Sequence, residues 1–334
     1  MIPQRGPMYV AGLLAALFSA ATGAADPPSL ELKQTIALKG KAGNLDHMAL
    51  DAKRDRLLVA NKSNNTLDIV DLKSGKLLKQ VRNQGGIQGI AYAADLDRVF
   101  VGLGAGGFCN AFDGQEFKLL KTVKFADDAD NVRYNPRTHL VYVAHAEKAL
   151  GVIDARTYQL KADIKLPGQA ESFQLEKERP RLYVNVPSSG EVAVIDTEKN
   201  EVIQRYPLKL AGNNYPMALD EAGRRLFIGC RKKPMVVVLG SDTGKEIAGL
   251  DIPADIDDLF FDGQRKRLYA SCGEGFIAVL SHIDADHYEA IDKIPTVKGA
   301  RTSLFDPQQG RYFLAVPRQP GKEGPEMWVY QVPR

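Results

Sequence analysis

Cysteine is scarce. The 334 residues include three, with no Cys-x-x-Cys pair and no Cys-x-x-Cys-His run, which excludes a dithiol redox centre and covalently attached haem. Tryptophan occurs once. Neither sign of charge dominates: 44 Lys plus Arg against 41 Asp plus Glu leaves a net +3, far from the basic excess of a nucleic-acid binder. No run beyond the first 25 residues approaches the ~20 apolar residues of a membrane-spanning helix, and no window sustains a 3.6-residue apolar period. Catalytic signatures are missing too, with no Walker loop, no His-Glu-x-x-His and no Gly-x-Ser-x-Gly. Gly102-Leu103-Gly104-Ala105-Gly106-Gly107 fits G-x-G-x-x-G, but residues 108–112 read as another strand, where a dinucleotide site requires a helix. What remains is the composition of an ordinary folded chain, 44% hydrophobic and 25% charged, with 30 Gly and 18 Pro to make turns.

The first 25 residues have the layout of a cleaved secretory signal peptide. Arg5 is the sole charge before Asp26, residues 8–21 are apolar around Leu13, Leu14, Leu17 and Phe18, and Thr22-Gly23-Ala24-Ala25 supplies small residues for cleavage after Ala24 or Ala25. A retained N-terminal membrane anchor is the alternative. The expectation is an exported chain, periplasmic or secreted, with no membrane span in its mature part, residues 26–334.

That mature part is repetitive. Arg56-Leu57-Leu58-Val59, Arg98-Val99-Phe100-Val101, Leu140-Val141-Tyr142-Val143, Arg181-Leu182-Tyr183-Val184, Arg225-Leu226-Phe227-Ile228, Arg267-Leu268-Tyr269-Ala270 and Tyr312-Phe313-Leu314-Ala315 share one pattern. Counted from residues 57, 99, 141, 182, 226, 268 and 313, the steps are 42, 42, 41, 44, 42 and 45. Seven residues before each of the first six anchors stands another apolar or aromatic residue, from Leu50 to Phe261, across turn formers such as Asp262-Gly263-Gln264. A third segment follows, as in Val192-Ala193-Val194-Ile195-Asp196, and a fourth ends near Val81, Val123, Ile164, Tyr206, Leu250 and Ile294.

Four short strands per ~40–45 residues is the period of a β-propeller blade. The last unit has three segments, and Leu30-Glu31-Leu32-Lys33-Gln34-Thr35-Ile36 resembles the outermost strands of the other units, such as Lys76-Leu77-Leu78-Lys79-Gln80-Val81. The expectation is an all-β fold: one seven-bladed β-propeller, four antiparallel strands per blade, the last blade closed by the N-terminal strand. Closure removes open strand edges.

The Arg181–Val184 run, with the Val194-Ile195-Asp196 run and its following turn to Lys199, resembles the YncE-like, YVTN-repeat propeller family across essentially the whole mature chain. The resemblance implies this fold. It carries no catalytic motif, because fold alone does not define function.

In such a ring the innermost strands start, and the second strands end, at one mouth of the central channel, where loops converge. The starts read Asp46-His47, Gln88-Gly89, Asp130-Asn131, Glu171-Ser172, Tyr215-Pro216, Asp257-Asp258 and Arg301-Thr302. The second-strand ends add Lys62, His145, Arg231, Lys232 and Arg318 as a basic fringe with a second histidine. Candidate ligand-binding residues are therefore Asp46, His47, Gln88, Asp130, Asn131, His145, Glu171, Asp257, Asp258 and Arg301. Oxygen ligands from Asp130, Glu171 and Asp257, assisted by Asp46 and Asp258, would suit Ca²⁺, and His47 or His145 would suit a transition metal. Against any metal stands the ordinary polarity of a solvated channel mouth.

His139, His282 and His287 read as structural or exposed. Cys230 and Cys272 occupy equivalent places in adjacent units, too far apart for a disulfide unless the loops bend, and Cys109 reads as a small strand residue. The functional expectation is a monomeric, non-enzymatic protein that binds a small ligand or a protein partner, not nucleic acid, over the mouth. The alternative is a metal-dependent hydrolase of the lactonase or lyase kind, in which a cation polarises a carbonyl beside a His or Asp base.

Overall fold

Runs rich in Val, Ile, Tyr and Phe, each closed by Asp, Gly, Asn or Lys, favour extended chain broken by tight turns. The computed structural model describes residues 1–2, 28–146, 148–284 and 286–333 and holds 28 strands, numbered here β1 to β28 in chain order. They pair into seven four-stranded sheets, all antiparallel among the pairings seen. The first blade is β2 (Met48–Asp51), β3 (Arg56–Asn61), β4 (Thr66–Asp71) and β5 (Lys76–Val81). The next five blades begin with the innermost strands β6 (Ile87–Ala93), β10 (Val132–Asn135), β14 (Phe173–Leu175), β18 (Gly212–Asp220) and β22 (Ile256–Asp262).

The seventh blade joins the two ends of the chain. Its inner strands are β26 (Thr302–Asp306), β27 (Arg311–Val316) and β28 (Glu326–Gln331), and its outermost strand is β1 (Glu31–Ala37). Ile36 stands opposite Met327 and Thr35 opposite Trp328. The seam to the first blade is sealed by Ile36, Phe313 and Met327 packing on Leu57, Val59 and Val70. An Arg311–Asp55 ion pair at 2.7 Å crosses the same seam.

The core is divided by the ring. Each of seven apolar clusters is shared between neighbouring blades; one, for example, sets Tyr142 and Leu150 of the third against Phe173 and Leu182 of the fourth. Among the described residues one helical turn occurs, a 3-10 turn at Lys62–Asn64, and no helix is long and apolar enough to cross a membrane. All three cysteines are buried and free, and burial pushes each thiol up to about 12, so they are inert at neutral pH. His139 bonds Tyr134 near a turn and His287 is exposed. His282 is the last residue of β24 (Phe276–His282) and stacks on Tyr288, a structural place. The expected leader, save residues 1–2, lies outside the described residues.

Candidate functional site

The repeat itself places the first acids. Just before β2, β10 and β14, a pair of residues extends the ladder to the second strand of its own blade. Asp46 N donates to Ala60 O (2.8 Å), and Ala60 N to His47 O (3.0 Å). Asp130 with Ala144 and Asn131, and Glu171 with Asn185 and Ser172, repeat the pattern at 2.9–3.0 Å. Asp46, Asp130 and Glu171 are thus structurally equivalent residues of blades one, three and four. In blades two and six the pairing register breaks between Ile87 and Ile90 and between Ile256 and Asp258. Such bulges re-aim side chains, here Gln88 and Asp257.

These residues line one cavity of about 200 Å³ together with Asn131, Lys62, Arg231, Tyr215 and Arg301. The structure therefore brings Asp46, His47, Gln88, Asp130, Asn131, Glu171, Asp257 and Arg301 to a single mouth. Asp258 lies in the channel just below, where its Oδ2 accepts a hydrogen bond from Ser303 N at 2.7 Å. His145 goes elsewhere. It ends its strand at the mouth side, but its ring is buried against Phe125 (4.8 Å between ring centres) and bonds Asp163 at 2.7 Å. It is spent on packing between strands, and a transition-metal role through His145 is corrected on that ground.

Charges at the mouth are unequally satisfied. Lys62 Nζ lies 3.1 Å from Asp46 and also donates to Gln88 Oε1. Gln88 and Gln169 donate to Asp128 at 2.9 and 3.2 Å. Arg231 pairs with Asp257 and lies over the Tyr215 ring at 3.9 Å. Arg301 reaches Asp255 at 2.6 Å and Asp257 at 3.3 Å. Among the described residues, the carboxylates of Asp130 and Glu171 have neither a hydrogen bond nor an ion pair. Asn131 is 2% exposed, and its Oδ1 also lacks a partner.

Electrostatics follow from this. Burial, then the neighbouring Asp46, Glu171 and Asp128, push Asp130 well above the usual carboxylate range. Burial and Asp257 raise Glu171 to about 7, against the pull of Arg231. Burial also raises Asp257, opposed by Arg301 and Arg231. Burial lowers His47, which keeps its ring neutral and able to accept a cation. One donor atom each from Asp46, His47 and Asp130 can lie within 4.8 Å of the others, a spacing compatible with one cation. The metal set expected from sequence, Asp130, Glu171 and Asp257, differs from this group, since Asp257 is already held by two arginines.

Next to the mouth lies a second cavity of about 360 Å³, and His47 and Ser172 line both. Its apolar wall includes Met48, Ile90, Leu259 and Leu304, and it contains one arginine, Arg133. Sequence reasoning missed Arg133, Asp128, Gln169 and Asp255. Arg133 was detectable, because alignment of the repeats places it two residues after Asn131 and so on the same face of the strand. The others sit in loops whose course the repeat does not specify.

The ring and its polar channel mouth define a seven-bladed β-propeller. Solved structures share that fold: a chain of Kuenenia stuttgartiensis hydrazine synthase (TM-score 0.74, 15% identity, 83% of this chain and 94% of that one) and the WD40 repeats of RRP9 (TM-score 0.78, 10% identity, 90% and 100%). No family model matches the chain. Proteins described as uncharacterised protein YncE, from Salmonella typhimurium and Salmonella typhi, are 28% identical over 165 residues, 48% of this chain and 46% of theirs. The chain thus spans about half the length of the curated relatives it matches. The sequence likeness to YncE thus covers about half of this chain, and the solved structures share its propeller fold.

Proposed function

We propose that this chain is an exported, non-enzymatic propeller that binds a small cationic ligand at its channel mouth. One observation carries the reading. Asp46, Asp128, Asp255 and Asp257 are each held by a lysine, glutamine or arginine, while Asp130 and Glu171 face the same cavity with no bonded partner among the described residues. Two unpaired, partly desolvated carboxylates are costly, and a bound cation removes that cost. Export is supported by the apolar segment at residues 8–21 and the small residues after it.

Calorimetry with n-butylamine tests the site. Asp130→Asn combined with Glu171→Gln should weaken binding at least about tenfold. Because Glu171 is raised to about 7, its carboxylate fills as pH rises, so wild-type affinity should climb between pH 5.5 and 8. Amine affinity indifferent to both changes would sink the reading. A second reading rests on Asp46, His47 and Asp130, whose spacing suits a divalent cation, the starting point for the hydrolase alternative. Elemental analysis and Ca²⁺ titration separate it. There Asp130→Asn should abolish metal retention, while Asp257→Ala should spare it.

A further inference from the structure

Arg133 is the anomaly of the channel. Strand pairing sets it opposite Tyr142, and the matching places of the other blades hold Ala49, Ala91, Gln174, Ala218, Phe260 and Ser303. All six are uncharged. Among the described residues Arg133 makes one hydrogen bond, from Nη1 to Val132 O at 3.0 Å, so four of its five N–H donors remain. No carboxylate among the described residues lies within ion-pair distance. Its Cζ lies over the Phe173 ring, 5.7 Å from the ring centre. The nearby Asp258 does not reach it, being held by Ser303 N. Burial lowers its pKa, which reports the cost of an enclosed cation, and Asp258 and Asp130 offset part of that cost from a distance.

A planar fork with free donors facing a cavity matches a carboxylate, which two parallel N–H bonds can hold. The mouth directly above offers the opposite charge, Asp130 and Glu171, and a buried amide oxygen on Asn131 with no partner. The two cavities are adjacent, and His47 and Ser172 line both. We infer that the channel holds an amino-carboxylate ligand lengthwise, its ammonium at Asp130 and Glu171 and its carboxylate on Arg133. This rests on the cationic-ligand reading and adds the second charge. Phosphorylated amines fit less well, because a dianion would face Asp258 and the acids of the mouth as well as the single arginine.

Calorimetry and thermal shift with glycine, 4-aminobutyrate and 6-aminohexanoate test it, against unsubstituted amines of matching chain length and against butyrate. At least one amino-carboxylate should bind wild type about tenfold more tightly than its amine. Arg133→Met should erase that advantage and leave amine binding intact, and Arg133→Lys should restore it in part. Amines that bind wild type as well as the amino-carboxylates do, or an advantage that survives in Arg133→Met, would overturn this inference and leave the mouth reading standing. Butyrate binding as tightly as the amino-carboxylates would overturn the two-pole arrangement. No binding by any amine or amino-carboxylate would overturn both readings. If Arg133→Met fails to fold, Arg133→Gln, which stays polar but removes the charge and the fork, carries the comparison.

Discussion

Glu171 shows how one side chain ties the site to the stability of the ring. Its proton is held to about 7 in the fold, against an ordinary glutamate value of 4.5. The folded state therefore binds more protons than the unfolded chain between those values, and stability falls as pH rises through the window. Glu171→Gln removes the titrating group. The melting temperature of wild type should decline from pH 5 to pH 8 more steeply than that of the variant, and parallel curves would refute the assignment. Asp130 adds a slope of the same sign, since it too is raised. His47 adds a slope of the opposite sign below its ordinary value of 6.5, because burial makes the folded histidine give up its proton sooner than the unfolded one, and it does so equally in wild type and variant. The chemistry of these groups was legible in the sequence as a set of acids at strand starts. Their inequality was not: which acids are paired depends on Lys62, Arg231 and Arg301 arriving from other strands.

At the scale of elements, the glycine-rich stretch has a packing explanation. A Cβ on Gly102 would lie 2.6 Å from Asp130 O and 2.8 Å from Ala129 O, and one on Gly89 would lie 2.1 Å from Asp130 O and 2.6 Å from Val132 N. Those atoms are backbone and cannot swing aside. β6 and its partner strand therefore press against the start of β10, and that contact fixes the loop carrying Asp130. Gly89→Ala should cost about 1–3 kcal/mol or more by overpacking. It should also weaken amine binding at the mouth, measured by urea denaturation and calorimetry; full stability with unchanged binding would exclude the contact. The G-x-G-x-x-G match thus serves blade packing. The outermost strands tell a related story: they leave Leu32, Leu78 and Leu160 exposed, each with a lysine beside it or close by in the strand, which discourages edge pairing between molecules.

The whole molecule depends on closure. Ile36 is fully buried in the strand that joins the chain's beginning to its end, against Met327 on one side of the seam and the first blade on the other. Ile36→Ala should destabilise the ring by about 2–5 kcal/mol, read from the denaturation midpoint. Because neighbouring blades share every core cluster, loss at the seam should lower one cooperative transition. A separate early transition confined to the seventh blade would argue against a clasped ring.

The amino-acid sequence by itself determined the blade count, the strand period and the exchanged N-terminal strand. Each is a periodic apolar pattern that a strand must satisfy locally, with a two-residue alternation and turns at fixed offsets. It also placed Asp46, Asp130 and Glu171 at equivalent points, because equivalence follows from the repeat. Only the tertiary structure decided that His145 turns into an interblade contact, that Asp257 is neutralised by two arginines, and that Arg133 remains unpaired in the channel. Those outcomes are set by side-chain direction and by distances across blades, and both arise when the ring shuts and brings residues dozens of positions apart to one axis.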